Sequence, residues 1–304
     1  MVVVRNLPHW TTTFLSKSIK GEGTPPFFMD NDVSQEKALD LINKIDGGYD
    51  AERREKARQY IGASIVGNPC DALLAYNLRG FPNDEPNPRL KRIFNLGHIL
   101  EDEIVKDLKK KAGVQVWEVD VLTGRQHTYD ELGGHVVCHT DGLIELEQDD
   151  PMILEIKSMN DASFKKFQKS GVKISHPQYY AQCTMMMGMS GLQQTLFIAM
   201  NKNNCDYHAQ IVDYDEFEWA YLKERIERAI NNRAGKISTD GTDWRCKGCF
   251  KNSICWQGKQ VEPQCNFCEQ ARPDQNGGWW CIKHDSRADE VCDDYLVYKP
   301  MEKR

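Results

Sequence analysis

The stretch Met152-Ile153-Leu154-Glu155-Ile156-Lys157-Ser158 admits few structural interpretations, because a glutamate and a lysine interrupt a β-prone apolar run. Side chains alternate along a strand, so Glu155 and Lys157 project from the same face. Fourteen residues before Glu155, Asp141 lies in a second β-prone run, His139-Thr140-Asp141-Gly142-Leu143-Ile144. If these runs are neighbouring strands, two carboxylates and one ammonium converge. Two carboxylates hold a hard cation such as Mg²⁺ or Mn²⁺, and a lysine can orient a water or offset charge on a phosphate. That equipment hydrolyses a phosphodiester. The competing explanation is accident, since 28% of the residues are charged and such triplets recur by chance. The surrounding pattern has to decide.

That pattern predicts an α/β chain. Residues 1–34, rich in Thr, Ser, Gly and Pro, read as an irregular arm. A helical pattern follows from Ser34 to Tyr60, with Leu39, Ile42 and Ile45 apolar and Gly47-Gly48 as its break. A loop from Ser64 to Cys70 leads into a short helix, Asp71 to Leu78. Leu90 to Lys111 is predicted to be an amphipathic helix with Ile93, Leu96, Leu100, Ile104 and Leu108 as its stripe. Strand-like stretches at 115–122, 134–146 and 152–158 come next. A helix then opens near His176-Pro177, followed by strands Thr195 to Met200 and Tyr207 to Val212 and a charged helix from Glu216 to Asn231. This order implies a mixed central sheet flanked by helices, with an N-terminal arm and helical segment over 1–60, a core over 61–258 and an appendage over 259–304.

On the long helix, His98 and Glu101 are i,i+3 neighbours, so either could face the carboxylates; both would equally suit a solvated flank of the apolar stripe. At this point the chain resembles the RecB-like branch of the PD-(D/E)XK nuclease superfamily, over roughly residues 62–258. The resemblance rests on Gly97 to Glu101, Asp141, Glu155 with Lys157, and Tyr180-Ala181-Gln182. It implies a restriction-endonuclease-like core in which Glu101, Asp141, Glu155 and the carbonyl of Ile156 bind Mg²⁺ or Mn²⁺, Lys157 acts on water or phosphate, and Gln182 positions its helix. The sequence departs from that pattern in places. Thr140 stands where a proline is common, and Glu101 follows phage λ-type exonucleases where most members carry histidine, which leaves the role of His98 open. Met186 replaces a tyrosine, and Gln178 is an alternative to Gln182.

Seven of the eleven cysteines fall in the last sixty residues, a region short of periodic segments that needs metals for stability. Eleven cysteines in a chain without a signal-peptide layout or an apolar run of membrane-spanning length point to a cytoplasmic protein with metal ligands rather than disulfides. Cys246, Cys249 and Cys255 form a C-x2-C-x5-C run, one ligand short of a four-coordinate site. In the resemblance, Cys70 within Gly67-Asn68-Pro69-Cys70 supplies the fourth, and the four hold a [4Fe–4S] cluster that clasps the core. Zinc bound among the C-terminal cysteines alone is the alternative. Cys265 and Cys268 open a zinc-ribbon spacing with Cys281, and the fourth Zn²⁺ ligand is either Cys292, as in phage members of the branch, or His284. Cys138, Cys183 and Cys205 read as apolar fillers.

The net charge of −6 excludes a generally basic nucleic-acid binder but not a local basic groove. Lys165, Lys166, Lys169 and Lys173, interleaved with Phe164 and Phe167, would suit phosphates and stacked bases of a single strand; an amphipathic turn with core phenylalanines is the alternative. The functional expectation is a metal-dependent DNA exonuclease acting on single strands or ends, in phage replication, recombination or DNA degradation, with phage replication or recombination proteins as further partners and no membrane. The rival is a non-catalytic DNA-end-binding or recombination accessory protein that keeps the fold. A third reading, an iron–sulfur redox or radical enzyme, is disfavoured for want of a C-x3-C-x2-C run and a cofactor loop.

Overall fold

The structure, a computed structural model, describes residues 31–52, 56–148 and 150–303. The expected arm lies largely outside the described residues. Residues up to Gly48 and residues 49–304 are two separate units. Helix α1 (Asn31–Ala51) passes through Gly47-Gly48 without the expected break and ends nine residues short of Tyr60. Its apolar positions Leu39, Ile42 and Ile45 remain about half exposed.

The second unit is built on a five-stranded mixed sheet. Its strands are β2 (Gln115–Trp117), β5 (Gly142–Glu145), β6 (Pro151–Met159), β7 (Gln194–Asn201) and β8 (Tyr207–Asp213), in that spatial order. Only β6 and β7 run parallel. A smaller sheet orders β1 (Ile61–Gly62), β4 (Val136–His139) and β3 (Thr128–Glu131). The single strand expected over 134–146 is therefore two strands in two sheets, broken at Thr140-Asp141. The crossing needs Gly142, because a Cβ there would stand 3.0 Å from the Trp117 carbonyl oxygen. Strand β3, absent from the sequence reading, has no buried residue, so its pattern carries no apolar alternation to detect.

Alternation along β6 divides the core. Met152, Leu154 and Ile156 pack with Ile104 and Val105 of helix α4 (Pro88–Asp107). Ile153 and Met159 join the larger cluster with helices α5 (Asp161–Ser175, interrupted at Gly171), α6 (Pro177–Ser190) and α7 (Glu216–Ile230). Helix α5 was not expected. Its charged face hid a good helix whose Phe164 and Phe167 are fully buried, and Asn160 caps it by accepting from the Ser163 N–H. Of the stripe expected on α4, Ile104 is buried, Ile93, Leu100 and Leu108 are half-buried, and Leu96 is exposed, as are Phe94 and Ile99 outside the stripe. Helix α6 is buried from Tyr180 to Met187, as befits a helix apolar on every side.

Short helices α2 (Ala63–Val66) and α3 (Asp71–Leu78) precede α4, and α8 (Trp244–Lys247) and α9 (Asn252–Trp256) carry the first C-terminal cysteines. A third small sheet, β9 (Ala271–Pro273), β10 (Trp279–Cys281) and β11 (Ser286–Arg287), follows. The cysteine-rich region shares the main core. Phe267, Trp279 and Tyr298 are buried with Tyr76 and Phe81, and the Phe81 and Phe267 rings stack at 4.3 Å. Among the described residues, no helix is long and apolar enough to cross a membrane.

Candidate active site and thiol clusters

The register of the main sheet sets Gly142 opposite Leu154, which brings Asp141 beside Glu155. The Ile156 N–H donates to Asp141 Oδ2 at 2.7 Å, locking that carboxylate against the middle of β6. Glu155 is wholly buried; Lys157 Nζ pairs with its Oε1, whereas Oε2 has no hydrogen-bond partner. A buried carboxylate oxygen without a partner is costly, and a hard cation is the group that would complete it. Burial raises the Glu155 carboxyl to about 8, Lys157 opposes the rise, and Asp141 and Glu101 add to it. Glu101 on α4 is raised to about 7, first by burial and then by Asp141. Burial would lower the Lys157 ammonium, but Glu155 and Asp141 overcome it and hold it well above its ordinary value.

The structure thus brings Asp141, Glu155, Lys157 and Glu101 together. Three carboxylates around one lysine form an all-oxygen donor set suited to Mg²⁺ or Mn²⁺. His98 is exposed one turn before Glu101, and Gly97 approaches Ser158, where an added Cβ would meet Oγ at 4.0 Å. On α6, Gln182 is buried and Gln178 exposed. The residue that meets the site from α6 is Tyr179, whose ring lies 5.4 Å from Lys157 Nζ. Sequence reasoning chose the neighbouring Tyr180, which instead donates its hydroxyl to Asp215 Oδ2 at 2.8 Å. Helical spacing held the signal, because Tyr179 is i,i+3 to Gln182 and i,i+4 to Cys183. The buried Cys183 thiol is raised by burial and then by the Glu155 charge.

The lysine row divides. Lys166 and Lys169 are exposed on α5, while Lys165 pairs with Asp161 and Lys173 with Asp215, both at 2.8 Å. Base stacking by Phe164 and Phe167 is overturned, because both rings are core. Of the three cysteines read as fillers, Cys138 and Cys183 are buried and Cys205 is exposed at a turn with φ of 64°.

Cys70 precedes α3 directly and acts electrostatically on Cys246, Cys249 and Cys255, so the two distant segments meet. Burial raises all three C-terminal thiols, that of Cys255 to about 12. The Lys251 N–H points at Cys249 Sγ at 3.5 Å. Four thiols from both ends of the core fit a thiolate-bound group, whose charge would displace their protons. Farther on, Cys265, Cys268, Cys281, His284 and Cys292 line one cavity of about 310 Å³. Cys292 Sγ lies 3.5 Å from His284 Nε2, and Asp294 closes a group of three potential ligands with them. Of the four cysteines expected as ligands, only Cys292 belongs to that close group among the described residues.

Against this geometry, comparison with known proteins gives one family. Residues 59–193 match the YqaJ-like viral recombinase domain. The YqaJ-like segment holds Cys70, Glu101, Asp141, Glu155, Lys157 and Tyr179, and ends before Cys246. Among solved structures, the chain is similar to the alkaline exonuclease LHK-Exo from Laribacter hongkongensis, at 18% identity and a TM-score of 0.43, over 62% of this chain and 90% of that one. It is also similar to SSO0001, at 14% identity and a TM-score of 0.42 over 74% and 98% of the two chains. A phage-related exonuclease from Haemophilus somnus 129PT aligns at 15% identity and a TM-score of 0.38, over 55% and 78%. Nothing among curated proteins matches the chain.

Proposed function

We propose that this protein is a divalent-metal-dependent DNA exonuclease of the PD-(D/E)XK type, acting on strand ends in phage-type recombination, replication or DNA degradation. The observation that carries the reading is the convergence of Asp141, Glu155 and Glu101 around Lys157, with one buried Glu155 oxygen unpartnered. Asp141, Glu155 and Glu101, with the Ile156 carbonyl, would hold the cation. A hard divalent cation supplies Lewis acidity toward a phosphoryl oxygen and a more acidic water.

The chain's own groups do the positioning. The Ile156 N–H fixes one Asp141 oxygen, Oδ2. Lys157, held by Glu155 and the Tyr179 ring, keeps its proton and presents a fixed positive charge to the non-bridging oxygens of the reacting phosphate. Cys70, Cys246, Cys249 and Cys255 would carry the iron–sulfur clasp. Cys265, Cys268 and Cys281, with Cys292 or His284, would carry zinc. Both sites would stabilise the fold and take no part in the cleavage. Lys166 and Lys169 are the lysines of α5 that remain available to contact DNA phosphates.

The test is incubation with end-labelled single- and double-stranded DNA in Mg²⁺, Mn²⁺ or EDTA. Cleavage should require the cation and fall on the order of 10²–10³-fold in Asp141→Ala, Glu155→Ala or Lys157→Ala. Cation-independent cleavage, or wild-type turnover in folded Asp141→Ala protein, would reject the reading; DNA binding without cleavage would favour an accessory protein.

A further inference from the structure

We infer that His176 is a positioning residue for cleavage: fixed by two serine hydroxyls, its imidazole stacks on Tyr179 and holds that ring against Lys157. The inference rests on the nuclease reading above and adds a support behind its lysine.

The support is built by a break in α5. In a straight helix Ser163 and a residue 13 positions on would stand about 20 Å apart. Gly171, at φ 68°, interrupts the helix instead, and the Val172 N–H donates to Gln210 Oε1 at 2.9 Å. The chain folds back over the first turn of α5. There the His176 N–H donates to the Val172 carbonyl at 2.8 Å, and His176 Nε2 meets Ser163 Oγ at 2.6 Å.

Proton accounting fixes the ring. The Ser175 hydroxyl donates to the Gly171 carbonyl at 2.5 Å, so its oxygen is left to accept from His176 Nδ1 at 2.8 Å. With its proton on Nδ1, the neutral imidazole accepts at Nε2 from the Ser163 hydroxyl. Both nitrogens are then satisfied and the plane of the ring is set. Burial first and Lys166 second lower the imidazole below its ordinary value, so the ring is neutral at pH values where Lys157 carries its charge.

That ring faces Tyr179. The two centroids are 5.4 Å apart with the planes at 14°, and Phe197 lies 5.9 Å from the tyrosine ring. Lys157 Nζ stands over the same tyrosine, 5.4 Å from its centroid. Tyr179 is only half-buried, so its ring needs a lateral support, which the imidazole supplies. A neutral partner suits this place, because a second cation on the ring would compete with Lys157 for its electrons. The Lys157 charge stabilises a reacting phosphate only where it is held in position. His176 acts on it through Tyr179.

The test is a cycle of His176→Ala and Tyr179→Leu in the full chain with Mn²⁺, on proteins checked for folding. His176→Ala should lower kcat roughly tenfold while KM and Mn²⁺ affinity stay unchanged. In the Tyr179→Leu background it should change nothing further, because the ring it supports is gone. If His176→Ala does not fold, Ser163→Ala removes only the bond to Nε2 and should lower kcat about threefold. A second readout needs no cleavage. Acylation of the Lys157 amine, read by peptide mass spectrometry, should quicken several-fold in His176→Ala and leave the exposed Lys169 unchanged. Unchanged kcat with unchanged Lys157 labelling, a rise in KM alone, or the full loss repeated in Tyr179→Leu overturns the inference. Cleavage by wild type that is indifferent to His176 removes this inference alone. No cleavage by wild type, with Lys157 labelling still dependent on His176, removes the nuclease reading and leaves the support standing.

Discussion

Asp141, Glu155 and Lys157 were legible because strand alternation and a fixed separation are properties of the chain itself. Tyr179 was not, because two adjacent tyrosines on one helix differ only in which way the helix is turned. The protonation of the site was equally hidden in the sequence, since it depends on burial, and it has a measurable consequence. Glu155 is raised from 4.5 to about 8 and Glu101 to about 7 in the metal-free fold. A carboxyl raised on folding binds more protons folded than unfolded, so stability is fully present below the unfolded value and declines as pH rises to the folded one. The window is pH 4.5 to 8. His135, His139 and His176, lowered by burial, work in the opposite direction below 6.5, and Lys251, lowered by burial to about 8, opposes part of the loss within the window. Thermal melts of metal-free protein between pH 7 and 8 should therefore lose about 1 kcal/mol per pH unit. Glu155→Gln should remove most of that slope. Mn²⁺ or Mg²⁺ should raise the melting temperature more at pH 8 than at pH 6, because binding must displace the same protons. A cation effect independent of pH would place the metal elsewhere.

Among the elements, those with a clear period or cap were legible and those defined by their neighbours were not. The strands on either side of Asp141 read as one run because the sequence records β propensity and not sheet membership; the division appears only where the chain leaves β4 for β5. Helix α6 was found from His176-Pro177, but the reason for its seat lies in another segment. A Cβ on Gly67 would come within 2.7 Å of the Gln178 Cα and carbonyl oxygen and 2.8 Å of the Ala181 Cβ. Backbone atoms cannot yield as a flexible side chain does. Gly67→Ala should therefore push α2 from α6, at about 1–3 kcal/mol by overpacking. Since α6 carries Tyr179, cleavage should fall together with stability even though Gly67 touches no carboxylate. Denaturant melts alongside the cleavage assay would check this, and unchanged stability would mean that the two helices separate freely.

For the whole molecule, the sequence marked the cysteine-rich end as different in character but not what joins it to the core. The joint is Arg79, a residue with no motif around it. Its side chain is fully buried at the end of α3. Nη1 donates to the Asn266 and Cys268 carbonyls at 2.7 and 2.8 Å, and Nη2 to Asn232 Oδ1 and the Ala271 carbonyl at 2.7 and 2.8 Å. The Tyr298 and Trp279 rings flank the guanidinium at 4.4 and 5.0 Å. Those carbonyls belong to the turn that carries Cys265 and Cys268, so one arginine holds the second thiol group against the core. Arg79→Met fills much of the volume but leaves three buried carbonyls without donors, a loss of about 3–5 kcal/mol. The thiols proposed to bind Zn²⁺ would remain, so on that proposal their affinity for it should drop with the loosened turn rather than vanish. Arg79→Lys should recover little, because one ammonium cannot serve four acceptors in the plane of a guanidinium. Melting temperature, together with Zn²⁺ content after gel filtration, reads both effects. A fully stable, zinc-replete Arg79→Met protein would mean that the C-terminal region is held by its thiolates alone.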